Sequence, residues 1–96
     1  MSNSSEKRLE EIRKRINEID EQLIELIAER TSFAPEIAAL KKSLGTCVFD
    51  PKREDAICEK TRLMCEKHHI EPEVALKVMK ILMTYNKEVQ KDSIDG

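Results

Sequence analysis

The sequence predicts an all-α protein with three helices per chain, one long and two shorter. Charged residues make up 38% of its 96 residues, aromatic residues only 3%, and there are two glycines. A composition rich in Ala, Glu, Lys, Leu and Arg is typical of long helices. Apolar residues also recur in steps of three and four along most of the chain. We expect one domain over residues 1–96, ordered over about residues 6–91 and frayed at both ends.

The first predicted helix is the long one. It begins near Ser4 or Ser5, either of which can act as an N-cap, and runs to about Ser43. Gly45 then provides a C-terminal stop. Pro35 removes one backbone hydrogen bond inside this segment. We therefore expect a kink at or near Pro35, with two abutting helices as the alternative.

The two shorter helices have clear starts. Asp50 is a good N-cap and Pro51 occupies the favoured first position, so the second helix runs from there to about His68. The third helix follows a short connection and runs from Pro72 to about Lys91.

A hydrophobic seam runs along the first helix and needs another chain to cover it. A helix of about 38 residues is roughly 57 Å long, which the two later helices cannot cover. The sequence therefore predicts an obligate, intertwined homodimer in which the long helices pair. The seam residues are Leu9, Ile12, Ile16, Ile19, Leu23, Leu26, Phe33, Ile37, Leu40 and Leu44.

Charge and hydropathy exclude two partner classes and suggest a compartment. The net charge of −2 disfavours binding to nucleic acid, because there is no basic excess to neutralise phosphates. No apolar run approaches the roughly 20 residues of a membrane span. The first residues lack the apolar core of a signal peptide, and the three cysteines are an odd number. We expect a cytoplasmic protein with reduced thiols.

A metal site is not expected. Cys58, Cys65 and His69 fall near one face of a helix, which is one arrangement that binds metal. Structural zinc sites usually combine short spacings from two separate segments, and this chain has no second pair. We interpret the two cysteines as packing residues near a helix end.

The seam contains one charged residue, Arg30. A buried guanidinium without an anion costs several kcal/mol, so Arg30 implies an anionic partner, which is Glu54, a ligand or both. Lys41 lies eleven residues on and points within about 20° of the same direction, with Ile37 between them. The alternatives are that Arg30 specifies helix register and that Lys41 is a solvated helix-end residue.

Polar residues also cluster on the other two helices. Asp50, Arg53 and Glu54 share the first turn of the second helix, and Ile57 follows one turn on. These residues are otherwise explained as a cap and surface charges. On the third helix, a stripe continues from apolar to polar residues as Leu76, Met79, Met83, Asn86 and Gln90. The alternative explanation for the polar end of this stripe is that it emerges into water. A parallel stripe is expected to be ordinary core and consists of Ala75, Val78, Leu82, Tyr85 and Val89.

Together these residues suit a pocket for a small dianion. Cations, one amide, one carboxylate and apolar walls are present, but no nucleophile with a placed base and no glycine-rich phosphate loop. The expected chemistry is electrostatic preorganisation and conformational restriction without a cofactor.

The chain resembles the all-helical class of chorismate mutases from about Leu9 to Gln90. The pattern consists of "IRKRINEIDEQLIELIAER", Lys41, "DPKRE", "KHH" and "NKEVQ". The resemblance implies a cofactor-free [3,3]-sigmatropic rearrangement of chorismate to prephenate, in phenylalanine and tyrosine biosynthesis. It also implies a homodimer with shared active sites.

The resemblance implies a role for each site residue. Arg30 and Arg13 of the partner subunit hold the two carboxylates, with Asn86 assisting, and Lys41 and Gln90 bind the ether oxygen. Glu54 and the backbone around Asp50 take the ring hydroxyl, and Arg53 orders that corner. The apolar pocket wall consists of Ile37, Ile57 and Met83.

Three positions depart from the family pattern. Asn86 stands where a small hydroxyl residue is common, and Lys87 where an aliphatic residue is frequent, so that Lys87 either points outward or adds a cation. Pro35 is not part of the pattern.

Two other functions remain open. Isochorismate pyruvate lyase shares the fold, but lacks the acidic residue that matches Glu54. A non-catalytic helical dimerisation or regulatory module explains the seam but not Lys41, Glu54 and Gln90 together. The sequence contains no fused partner domain, so we expect a freestanding enzyme.

Overall fold

The computed structural model describes residues 2–95, and these form four helical segments. They are α1 (Ser2–Ser32), α2 (Ala34–Leu44), α3 (Pro51–Lys67) and α4 (Pro72–Asp95). No strand occurs among the described residues. The predicted all-α class is therefore confirmed.

The predicted long helix corresponds to α1 and α2. Only Phe33 separates them, and its backbone keeps right-handed helical angles, with φ −80° and ψ −12°. The amide of Ile37 still donates to the carbonyl of Phe33, at 2.9 Å. Pro35 lies in the first turn of α2, where its missing N–H would have no intrahelical acceptor. One helix kinked at or near Pro35 was predicted, with two abutting helices as the alternative, and the two consecutive segments match the alternative. The start of a new helix explains why proline is tolerated there.

The other helix ends can be compared with the capping residues and bounds predicted from the sequence. Asp50 caps α3, and Gly45 ends α2 with a left-handed φ of 70°. The predicted start at Ser4 or Ser5 is wrong by two or three residues, a common error at helix ends. Helix α4 continues to Asp95, past the predicted end near Lys91, because no glycine or proline lies between Pro72 and Gly96. Fraying of the termini stays a prediction.

The chain divides into two units. The first comprises residues 1–30, and the second comprises residues 31–96. In the second unit, α4 packs against both α2 and α3. Ala34 and Ala38 are completely buried, so small side chains line the inner face of α2. Cys65 of α3 and Met83 of α4 complete the set of buried apolar residues among those described.

The stripe on α4 that changes from apolar to polar is the packed face of this helix. Met83 and Gln90 are buried, and Leu76, Met79 and Asn86 are half-buried. The parallel stripe is not ordinary core throughout, because Val78 and Tyr85 are 44% and 49% exposed.

Candidate active site

Lys41 is held at the end of α2 by the turn that follows it. Its carbonyl accepts hydrogen bonds from the backbone amide of Thr46, at 2.9 Å, and from the Thr46 hydroxyl, at 3.3 Å. Gly45 adopts the left-handed conformation that this turn requires. The chain therefore turns back so that Val48 lies within reach of the Lys41 side chain.

The Lys41 ammonium joins three parts of the second unit. Its Nζ donates to the Val48 carbonyl at 2.7 Å and to Gln90 Oε1 at 3.0 Å. Gln90 is only 4% exposed, and its Nε2 donates to Asn86 Oδ1, one turn earlier on α4. We call Lys41, Val48, Gln90 and Asn86 the amine–amide network.

The amine–amide network leaves donors unused. An ammonium has three N–H groups and a primary amide has two. Within the described part of the chain, hydrogen bonds account for two on Lys41 and one on Gln90. Each side chain thus keeps one N–H that these hydrogen bonds do not use.

The start of α3 forms a second cluster. Asp50 Oδ1 accepts from the backbone amide of Arg53 at 3.0 Å, so this carboxylate acts as the predicted cap. The Arg53 side chain is exposed. Glu54 is half-buried, and its Oε2 lies 2.9 Å from Lys87 Nζ.

Lys87 is the residue whose role the sequence left undecided. Its ammonium contacts Glu54 and lies 4.8 Å from the centroid of the Phe49 ring. Lys87 therefore turns toward the start of α3 rather than into solvent. Its position beside Asn86, on a helix with polar residues in its packed face, was the only signal available from sequence.

The predicted apolar wall residues are at least partly covered. Met83 is 7% exposed, and Ile37 and Ile57 are half-buried. They come from α4, α2 and α3, which also supply the polar residues described above. Their contact with a substrate stays a prediction.

Arg13 and Arg30 belong to the first unit. Arg13 is exposed and lies beside Lys14 and Asn17 on a charged surface of α1, whereas Arg30 is half-buried. Their participation in one pocket with Lys41 and Gln90 stays a prediction.

The candidate metal ligands do not assemble. Among the described residues, no group of three His, Cys, Asp or Glu side chains is placed to hold a metal ion. Cys65 is buried, Cys58 is half-buried, and both are free thiols, as is the exposed Cys47. His69 has a positive φ of 57° in the turn after α3.

No helix in the described range combines the length and apolar character needed to cross a bilayer.

Comparison with known proteins identifies relatives of this chain. The sequence model of the family described as chorismate mutase type II matches residues 12–91. The chain is 40% identical over 88 residues to a protein of Methanocaldococcus jannaschii named chorismate mutase, covering 92% of this chain and 89% of that one. It is also 29% identical over 75 residues to the T-protein of Haemophilus influenzae, covering 78% of this chain but only 20% of that longer protein.

Proposed function

The chain belongs to the chorismate mutase type II family, whose reaction is the rearrangement of chorismate to prephenate, and we propose that the amine–amide network is its catalytic centre. The observation that carries this proposal is the 3.0 Å contact between Lys41 Nζ and Gln90 Oε1. It fixes two nitrogen donors side by side, each with one N–H to spare.

The reaction needs donors at one oxygen. In the [3,3]-sigmatropic shift the ether C–O bond breaks while a new C–C bond forms, and negative charge develops on the ether oxygen. The spare N–H groups of Lys41 and Gln90 donate to that oxygen and bind it more strongly as its charge grows. Interactions that strengthen in this way stabilise the transition state over the bound substrate.

The two carboxylates of chorismate need cations. Arg30 and Arg13 of the partner subunit provide them, because guanidinium groups bind carboxylates through paired hydrogen bonds. Asn86 adds a donor, since its Oδ1 is occupied by Gln90 and its amide nitrogen is left for the substrate. Fixing both carboxylates restricts chorismate to the compact conformer that reacts.

The ring hydroxyl is received at the start of α3. Glu54 accepts its hydrogen bond, and the backbone around Asp50 assists while the Asp50 side chain remains the cap. Arg53 orders this corner. Ile37, Ile57 and Met83 press the substrate into its chair-like shape.

A homodimer explains the apolar residues left exposed. Seven large apolar residues of α1 are 39–68% exposed. No large side chain among the described residues is fully buried, which is a weak core for a stable monomer. A second copy covers the seam by pairing along the three–four repeat, and brings Arg13 to the partner's pocket.

The exposed stripe of α4 supports the same assembly. Its large apolar members are between 44% and 72% exposed. Apolar patches of this kind usually mark contacts with another chain. The stripe consists of Val74, Val78, Ile81 and Tyr85.

The cytoplasm is the proposed compartment. The thiols of Cys47, Cys58 and Cys65 are free. Unpaired cysteines are usual in reducing compartments.

The direct test is conversion of chorismate by the purified protein. We expect loss of chorismate absorbance with prephenate as the product, and no release of pyruvate from isochorismate assayed in parallel. Pyruvate release would favour the lyase of the same fold. Inactivity toward both substrates, with no thermal stabilisation by a bicyclic dianionic transition-state analogue, would favour a non-catalytic module.

A complementation experiment tests the shared site. Arg13→Ala and Lys41→Ala subunits are each expected to be nearly inactive as homodimers. In a mixed dimer, one pocket combines an intact Lys41 with an intact Arg13 from the partner subunit. Equal mixing after unfolding and refolding should restore about a quarter of wild-type activity, because half of the dimers are mixed and each has one good pocket. Mixed samples that stay inactive would contradict the shared pocket.

A further inference from the structure

The Lys87 side chain links α4 to the start of α3. Its Nζ lies 2.9 Å from Glu54 Oε2 and 4.8 Å from the centroid of the Phe49 ring. The side chains of Lys87 and Glu54 are only 27% and 26% exposed. The ammonium is thus held between a carboxylate and an aromatic face, and both contacts are favourable for a cation.

This link lies beside the amine–amide network. Val48, which accepts from Lys41, is followed directly by Phe49, over whose ring Lys87 lies. On α4, Asn86 of the network is followed directly by Lys87. Both sets of contacts therefore join α4 to the segment from Val48 to Glu54.

Stability alone is a poor explanation for the pair. Ion pairs with partial solvent exposure contribute little to the free energy of unfolding, because ordering two long side chains offsets most of the attraction. What the contact does fix is the direction of the carboxylate. With Oε2 bound by Lys87, Glu54 has one oxygen held and presents the other as an acceptor.

We propose that Lys87 is a positioning residue that orients the Glu54 carboxylate toward the ring hydroxyl of the substrate. This role rests on the proposed function, in which Glu54 accepts the hydroxyl hydrogen bond. Lys87 does not itself touch the substrate. A side chain held at both of its carboxylate oxygens, one by Lys87 and one by the hydroxyl, has a single arrangement, and the substrate ring is fixed accordingly.

The test is a double-mutant cycle in chorismate kinetics. Lys87→Met removes the charge at similar length, Glu54→Gln removes the carboxylate charge, and the third variant carries both changes. We expect Lys87→Met to lower kcat/KM about tenfold, but less than about twofold when Glu54 is already Gln. Lys87→Arg, which can bind both the carboxylate and the ring, should restore most of the loss.

The matched control is Lys77→Met, which removes an exposed lysine from the same helix and should leave kcat and KM unchanged. Circular dichroism verifies that each variant folds. Lys87→Gln is a second, polar variant whose kcat/KM is compared in the same way, with Glu54 and with Glu54→Gln. A merely structural role would lower Tm without coupling to Glu54 in kcat/KM.

The possible failures are distinguishable. Wild-type protein that leaves chorismate intact would overturn the proposed function, and this role with it. An active wild type with an unchanged Lys87→Met variant would overturn the role of Lys87 alone. An equal loss in the presence and absence of Glu54 would also overturn it, because Lys87 would then act independently of that carboxylate.

Discussion

The two units of the chain differ in the hydrogen bonds and ion pairs that their polar side chains form. In residues 1–30, charged residues pair locally along one helix, as Arg8 does with Glu11 and Arg15 with Glu18, at 3.3 and 3.2 Å. The apolar seam of this unit stays exposed. Residues 31–96 also contain a local pair, Arg62 with Glu59, but polar side chains of this unit bond across elements as well. Lys41 reaches both the Val48 carbonyl and Gln90.

This difference separates two tasks. The second unit positions the amine–amide network through contacts between its own residues. The first unit offers an apolar seam, proposed to bind a second subunit, and Arg13, proposed to reach the partner's pocket. Changes in the seam should therefore act through assembly, and changes in the amine–amide network through the chemical step.

The largest effect is expected from breaking the seam. Ile16→Asp places a charge on a surface that the dimer would bury, which costs several kcal/mol. We expect sedimentation to detect monomers, circular dichroism to detect lost helix, and chorismate conversion to fall more than about 1000-fold. Gln22→Glu adds a carboxylate at an exposed polar position further along α1 and should stay dimeric and active. If the wild-type protein were a folded monomer at micromolar concentration, the proposed homodimer would be wrong.

The second-largest effect is expected from removing Lys41, in the second unit. Lys41→Ala removes a preorganised donor of a kind typically worth about 3–4 kcal/mol, so kcat should fall about 100- to 1000-fold. Lys42→Ala removes the adjacent exposed lysine and is the matched control. Sedimentation should find both variants dimeric. Near-normal kcat in Lys41→Ala would contradict the proposed mechanism.

A pH profile sharpens the role of Gln90. Gln90→Glu replaces a donor with a carboxylate that is ionised at neutral pH and cannot donate, so kcat/KM should fall about 100-fold there. Activity should recover as the pH is lowered, because the protonated acid donates again. The wild-type amide does not titrate and needs no acidic pH. Gln22→Glu on α1 should keep the wild-type profile, whereas a flat profile for Gln90→Glu would exclude donation.

The smallest effect is expected at the cap of α3. Asp50→Ala removes the acceptor of the Arg53 amide and should cost about 1 kcal/mol, lowering Tm by about 4–8 °C. The kcat value should stay close to that of the wild type, because the proposed site uses the backbone at this position. Asp50→Ser preserves capping and should keep Tm. Asp55→Ala removes an exposed carboxylate from the following turn and is the control. Equal Tm values for all three would mean that the cap contributes nothing.

Features that depend on neighbouring residues could be predicted from the sequence. The start of α3 at Pro51, capped by Asp50, follows from two adjacent residues, and the stop at Gly45 follows from one. The proximity of Lys41 and Gln90, which are far apart in sequence, was expected because the polar residues together suit a dianion pocket and because of the family resemblance. Their direct contact bears out only their proximity, and their roles remain proposals.

Three other features could not be predicted from the sequence. The Val48 carbonyl is a backbone acceptor, and backbone groups carry no sequence signal. The pairing of Lys87 with Glu54 depends on how α4 lies against the start of α3. The sequence offered no reason for a proline at position 35. The structure explains it, because Pro35 lies in the first turn of α2.

Lys41 is hydrogen-bonded at both its backbone carbonyl and its side-chain ammonium, so its conformational freedom is restricted at both ends. A lysine side chain that becomes immobile loses up to about 2 kcal/mol of rotational entropy. Here that loss occurs when the chain folds, because Thr46, Val48 and Gln90 of the same chain hold the residue. If Lys41 binds the substrate as we propose, the substrate meets a side chain that is already ordered, and its binding free energy is not reduced by ordering it.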